Sequence, residues 1–119
     1  MTSQGIHHVL LQTSDLAAAE AFYIGFLGFG VRKREKFHDG RPLTVTEEGL
    51  GLTSGVSGKA GSVVEHFAFR TTDIRTIAER AEEEGIEVLK EVGPGPYGLT
   101  VYLADPDGNK IELFSEDES

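Results

Sequence analysis

The sequence predicts an α+β fold made of two βαβββ modules, each a mixed sheet with one helix packed against its outer face. Three observations carry the prediction. Short aliphatic and β-branched runs alternating with period two are followed, twice over, by an amphipathic stretch of helical period. The two halves also match in their letters. His8-Val9-Leu10-Leu11-Gln12-Thr13-Ser14-Asp15-Leu16 lies against His66-Phe67-Ala68-Phe69-Arg70-Thr71-Thr72-Asp73-Ile74 at an offset of 58 residues. Further on, Gly28–Val31 answers Gly85–Val88 at an offset of 57. Third, glycines punctuate the ends of the predicted elements at corresponding places. Neither module buries both faces of its sheet alone, so the two are expected to pair, one spanning about 5–54 and the other about 63–115.

The elements follow in order. Residues 5–13 alternate as a strand, and the Ser14-Asp15 pair offers a side-chain oxygen to cap the helix that follows. That helix is predicted over Leu16–Leu27, with Leu16, Ala19, Tyr23, Phe26 and Leu27 forming one apolar stripe. Gly28 suits the left-handed position that ends it. Strands are expected over 29–37, 42–47 and 49–53, with His38-Asp39-Gly40 as the turn between the first two. Ser54–Ser62, rich in glycine and serine, reads as the connection between modules. In the second half a strand is expected over Val63–Thr71 and a helix over Asp73–Glu84 ending at Gly85. Strands at Ile86–Val92, Gly98–Ala104 and Lys110–Phe114 complete the set. Gly93-Pro94-Gly95-Pro96 is read as one connection and Asp105-Pro106-Asp107-Gly108-Asn109 as the other.

Composition narrows the function. The 119 residues contain no cysteine, which excludes disulfides, thiolate zinc sites, iron–sulfur clusters and a cysteine nucleophile. Eleven basic side chains against 20 acidic ones leave a net charge of −9, so no nucleic-acid partner is expected. No apolar run approaches the length of a membrane span and no signal pattern is present, so a cytoplasmic protein without a membrane partner is expected.

Strand alternation sorts the candidate site residues. Val9 and Leu11, Phe67 and Phe69, Val101 and Leu103, and Ile111 and Leu113 form the apolar sets that fit against the helices. The opposite face carries His8, His66 and Glu112, together with Gln12, Arg70 and Tyr102. Two imidazoles and a carboxylate on one face make a plausible site for a divalent first-row metal, with positions left open for substrate. His7 and His38 are assigned to ordinary hydrogen-bonding roles.

Ile6-His7-His8-Val9-Leu10-Leu11, Ser14-Asp15-Leu16, Phe22-Tyr23 and Leu27-Gly28-Phe29 in the first half carry a resemblance to a known family. So do Glu65-His66-Phe67-Ala68-Phe69 and Tyr102-Leu103-Ala104-Asp105-Pro106-Asp107-Gly108-Asn109-Lys110-Ile111-Glu112-Leu113 in the second. The chain resembles the vicinal oxygen chelate superfamily of glyoxalases, extradiol dioxygenases, fosfomycin-resistance enzymes and bleomycin-binding proteins. The resemblance implies sheets curled around a concave site, a small-molecule substrate and a homodimer, with modules exchanged or unexchanged. It places His8, His66 and Glu112 at three of the four usual metal positions, the same three that alternation selects.

At the fourth position, aligning Gly49 with Gly108 brings Thr53 opposite Glu112, so no carboxylate is expected there. Glu47 and Glu48 read as carboxylates flanking a turn. Fosfomycin chemistry is disfavoured: the threonine expected two residues after the first ligand is Leu10, and the expected basic residue near the C-terminus gives way to Ser115-Glu116-Asp117-Glu118-Ser119. The resulting expectation is a metalloenzyme acting on a substrate with two adjacent oxygens. The reading leans to Fe(II) dioxygenase chemistry, with Ni, Mn, Co or Zn as other metals. Tyr102 is the expected acid–base group and Arg70 the anion-orienting one. A glyoxalase-like lyase or isomerase is one alternative, and a metal-free drug-binding protein is the other.

Overall fold

The computed structural model describes residues 6–36, 39–55 and 65–116. It divides into two units, Met1–Ala60 and Gly61–Ser119, each an α+β module built on one four-stranded mixed sheet.

In the first unit, β1 (Val9–Thr13) runs parallel to β4 (Leu50–Ser54), and β3 (Pro42–Thr46) and β2 (Val31–Lys36) complete the order β1-β4-β3-β2. The helix between β1 and β2 starts where the sequence places it. The Asp15 carboxylate accepts the Ala18 N–H at 3.0 Å and caps α1 (Leu16–Glu20). The single helix expected to Leu27 is corrected, because Ala21–Phe26 continues α1 as a π-helix. Its wider turn is visible in the Leu27 N–H, which donates to the Phe22 carbonyl five residues back at 2.9 Å. Phe22, Tyr23 and Phe26 are all buried, so the widened turn seats two successive aromatics and a third in one core. Gly28 then takes a φ of +80° and ends the segment as expected. Of the expected turn at residues 38–40, Asp39 and Gly40 are in place, and His38 lies outside the described residues, as does most of the Ser54–Ser62 connection.

The second unit repeats the order as β5-β8-β7-β6, with β5 (Phe67–Arg70) parallel to β8 (Lys110–Ser115). Helix α2 (Ile74–Glu83) buries Ile74 and Ala81 against β7 (Gly98–Ala104) and β8, where Val101, Leu103, Ile111 and Leu113 are buried. Gly85 closes the helix at φ +73°. β6 (Val88–Gly95) overturns one expectation. Gly93–Pro96 is not the connection, since Gly93, Pro94 and Gly95 pair with Thr100, Leu99 and Gly98, and the turn is at Pro96 and Tyr97. β6 is an edge strand, so the missing N–H of Pro94 breaks no interior ladder, and a Cβ at Gly95 would come within 2.9 Å of Thr100 Cγ2. The turn before β8 is as the sequence reads it. The Asp105 carboxylate accepts the backbone N–H groups of Asp107 and Asn109 at 2.9 and 2.8 Å and the Asn109 side-chain amide at 2.8 Å.

Candidate metal centre

In the second unit, period-two alternation brings the expected residues to one face. Glu112 pairs with Ala68 on one side and Tyr102 on the other, so all three point away from α2. His66 stands just before β5, two residues ahead of Ala68, and its Nε2 lies 3.2 Å from Glu112 Oε1. Glu112 is 5% exposed, and its second oxygen accepts the Thr100 hydroxyl at 2.9 Å. One oxygen of the buried carboxylate is thus held by a hydroxyl, and the other faces the His66 ring. The Tyr102 ring meets His66 edge-on with centroids 5.7 Å apart, and Tyr102 is the cross-strand neighbour of Glu112. Burial, and after it the Glu112 charge, raises the Tyr102 pKa above the ordinary phenol value, so the hydroxyl keeps its proton.

The other nitrogen of His66 has its own carboxylate. Nδ1 contacts Glu65 Oε1, and Glu65 Oε2 receives Lys110 Nζ at 3.1 Å. The hydrogen bond to His66, then that to Lys110, holds the Glu65 carboxyl below the usual carboxylate range. Lys110 Nζ also lies 4.7 Å from the centroid of the Tyr102 ring. Arg70 shares the face but sits four residues from His66, about 13 Å along the strand at ~3.3 Å per residue. There its guanidinium contacts Glu116 and lies 5.7 Å from the centre of the Phe114 ring.

In the first unit, His8 is exposed just ahead of β1, with Nδ1 2.9 Å from His7 Nδ1. Gln12 is exposed on β1. Thr53 is not the counterpart of Glu112. Leu10 pairs with Gly51 as Ala68 pairs with Glu112, which makes Gly51 the equivalent position. Two residues, Asn109 and Lys110, separate Gly108 from Ile111, whereas Leu50 follows Gly49 directly, so aligning the glycines misplaced the strand by two. Thr53 instead donates its hydroxyl to the Pro42 carbonyl at 2.8 Å. A Cβ at Gly51 would lie 3.0 Å from Leu10 Cδ1, so an apolar side chain borders the position. Glu47 and Glu48 are the exposed turn residues the sequence implies, and Glu48 accepts the Gly30 N–H at 3.2 Å.

Among the described residues, no three His, Asp or Glu side chains are grouped so that they could hold a metal ion. The pair in the second unit nevertheless suits a divalent ion. Imidazole nitrogen and carboxylate oxygen are donors for borderline first-row metals. Two donors about 2.1 Å from one ion lie roughly 3 Å apart, close to the 3.2 Å separation here. A neutral imidazole carries one N–H. If Nδ1–H donates to Glu65, the Nε2 lone pair faces the Glu112 carboxylate, an arrangement that a proton on Nε2 or a metal ion relieves. Sequence reasoning missed Glu65 and Lys110. The available signal was that Glu65 immediately precedes a candidate ligand.

The chain is thus a duplicated α+β protein with an imidazole–carboxylate pair on the face of its second sheet that lies opposite the helix. The profile of the Glyoxalase/Bleomycin resistance protein/Dioxygenase superfamily matches residues 5–113, and the chain belongs to that superfamily. It is 29% identical to a lactoylglutathione lyase of Neisseria meningitidis, the match covering 92% of this chain and 88% of that one. It is 28% identical to the glutathione transferase FosA of Serratia marcescens over 92% of this chain and 79% of that one. Among solved structures, the trypanothione-dependent glyoxalase I of Leishmania major superposes with a TM-score of 0.81 at 23% identity, covering 97% of this chain and 88% of that one. The fosfomycin-resistance protein FosX of Listeria monocytogenes, solved with Mn(II), gives 0.73 at 20% identity, covering 95% and 93%. Among the described residues no helix is long and apolar enough to cross a membrane.

Proposed function

We propose that the protein is a divalent-metal-dependent lyase or isomerase of the glyoxalase kind, acting on a small substrate that presents two adjacent oxygens. The observation that carries the reading is the His66–Glu112 pair, 3.2 Å apart on the face opposite the helix. The near-full-length similarity to lactoylglutathione lyases supports it over the Fe(II) dioxygenase reading, which none of the relatives named above favours. His8, His66 and Glu112 are the proposed ligands. Three protein donors leave coordination positions for substrate, and the bound ion supplies polarisation of the two substrate oxygens.

The chain's own groups then handle the proton. Tyr102, kept protonated by burial and by Glu112, donates to the substrate oxygen on which negative charge develops. Glu112 is the base candidate. Gly51 supplies no second carboxylate, so proton transfer in this chain falls to Glu112 and Tyr102. Arg70 exchanges its contact with Glu116 for an anionic end of the substrate. A second copy of the chain is the proposed partner, to be read by light scattering.

The test is conversion of the methylglyoxal–glutathione adduct to lactoylglutathione by metal-reconstituted protein. Metal-dependent turnover is expected, falling about 100-fold or more in Tyr102→Phe and below detection in Glu112→Gln. Metal-loaded protein that turns over no 2-oxoaldehyde–thiol adduct contradicts the lyase. A parent that takes up no metal leaves the drug-binding alternative.

A further inference from the structure

The imidazole that precedes β5 is held from behind by a charged pair that the proposed chemistry does not use. Glu65 bridges two cationic or proton-donating groups, with one oxygen on His66 Nδ1 and the other 3.1 Å from Lys110 Nζ. Lys110 is itself located by the Tyr102 ring, 4.7 Å from its centroid. Glu65 is 71% exposed and Lys110 37% exposed, so their pairing adds little to stability. The geometry points to a different role. The chain runs Lys110–Glu65–His66–Glu112, ending at the 3.2 Å approach of Nε2 to the buried carboxylate.

We infer that Glu65 is a positioning residue for His66: its carboxylate accepts Nδ1–H, fixes that tautomer, and turns the Nε2 lone pair toward Glu112, with Lys110 holding Glu65 in place. The inference rests on reading His66 as a metal ligand. A neutral imidazole has one proton to share between two nitrogens; each faces a carboxylate, and the closer contact, with hydrogen-bond geometry, is that of Glu65 at Nδ1, which claims the proton. Such a partner both orients the ring and makes the remaining nitrogen a better donor. The repeat supports the assignment independently. His7 stands to His8 as Glu65 stands to His66, at the same offset of 58 residues, and its ring likewise meets the Nδ1 of the candidate ligand, at 2.9 Å. In both units the preceding residue occupies Nδ1 and leaves Nε2 to face elsewhere. Only in the second is that residue an anion.

The experiment has two arms. In metal-free protein, long-range ¹H–¹⁵N spectra recorded across a pH series report the His66 tautomer. The parent is expected to show the Nδ1–H form and Glu65→Ala a shift toward Nε2–H, while Glu65→Gln, whose amide oxygen still accepts, keeps the parent form. In the second arm, chelator competition with Mn(II) or Ni(II) is expected to show affinity lowered about 10- to 100-fold in Glu65→Ala, less in Glu65→Gln, with far-UV circular dichroism unchanged. The same tautomer in parent and Glu65→Ala, or equal metal affinity in the two, overturns the inference. A parent that binds neither metal overturns the proposed function instead, and the tautomer arm still decides the role of Glu65.

Discussion

The two units share one topology and one register, yet among the described residues only the second pairs an imidazole with a buried carboxylate on the sheet face opposite its helix. The repeat makes His8 the counterpart of His66, and the pairing within each sheet makes Leu10 the counterpart of Ala68, Gln12 of Arg70, Val45 of Tyr102, Leu43 of Thr100 and Gly51 of Glu112. Where the second unit has a buried carboxylate held by a threonine with a tyrosine beside it, the first has a glycine with leucine and valine beside it. The cores differ as well. The first packs Phe22, Tyr23 and Phe26 through a widened helical turn, and the second packs Ile74, Val101, Leu103, Ile111 and Leu113 beneath a regular helix. A duplicated scaffold thus keeps its register while the chemistry placed on each copy diverges, which is why function has to be argued from the site rather than the fold.

That contrast can be broken most severely in the packing. Phe26→Ala empties an aromatic position in the first core and is expected to cost about 3–5 kcal/mol by thermal or urea unfolding. Ile74→Ala in the second core is expected to cost about 2–5 kcal/mol. A value below 1 kcal/mol for either contradicts the packing described for that unit.

The asymmetry of the sheet faces is sharpened by making the first unit resemble the second. Gly51→Glu is expected to lower the melting temperature, and Leu10→Ala beside it, which removes the side chain 3.0 Å from the new Cβ, to recover part of the loss. Thr53→Glu, at the position that aligning the glycines selects, is expected to lower it without rescue by Leu10→Ala, because it removes the buried hydroxyl bond to Pro42. Rescue of Thr53→Glu but not of Gly51→Glu would contradict the register described.

The smallest expected effect concerns a polar cluster that the first unit carries on its helical side. Arg34, and with it Thr44, holds the Glu20 carboxyl below its ordinary value. Because the folded-state pKa is depressed, this stabilisation is fully present above about pH 4.5, the unfolded value, and is lost as pH falls through the folded one. Arg34→Ala is therefore expected to lower the melting temperature slightly at pH 7 and not at pH 3. The pair is partly exposed, so the change is small and shrinks with salt.

Most of the architecture was legible because its signals are local. Gly28 and Gly85 end helices at positive φ, Asp15 caps one, and Asp105 organises a turn, each through its own side chain or lack of one. Alternation likewise put His66, Glu112, Tyr102 and Arg70 on one face. What escaped was set by tertiary packing. No local propensity marks the π-helical turn, which exists to seat neighbouring aromatics. Gly93–Gly95 carries turn composition but pairs as an edge strand, where Pro94 loses nothing. The fourth ligand position was misread because the two β-hairpin turns differ by two residues, a quantity that strand pairing shows and glycine alignment hides. Glu65 was passed over because an exposed acid before a strand resembles ordinary surface until its oxygen is seen on the imidazole.

The most direct test is elemental mass spectrometry of protein purified without chelators and again after reconstitution, comparing the parent with His66→Ala and Glu112→Gln. The expected result is about one divalent ion per chain in the parent and none in either variant, with all three folded by circular dichroism. Equal metal content in parent and variants, or a parent that neither retains nor takes up metal, contradicts a metal centre built on the second unit's His66–Glu112 pair.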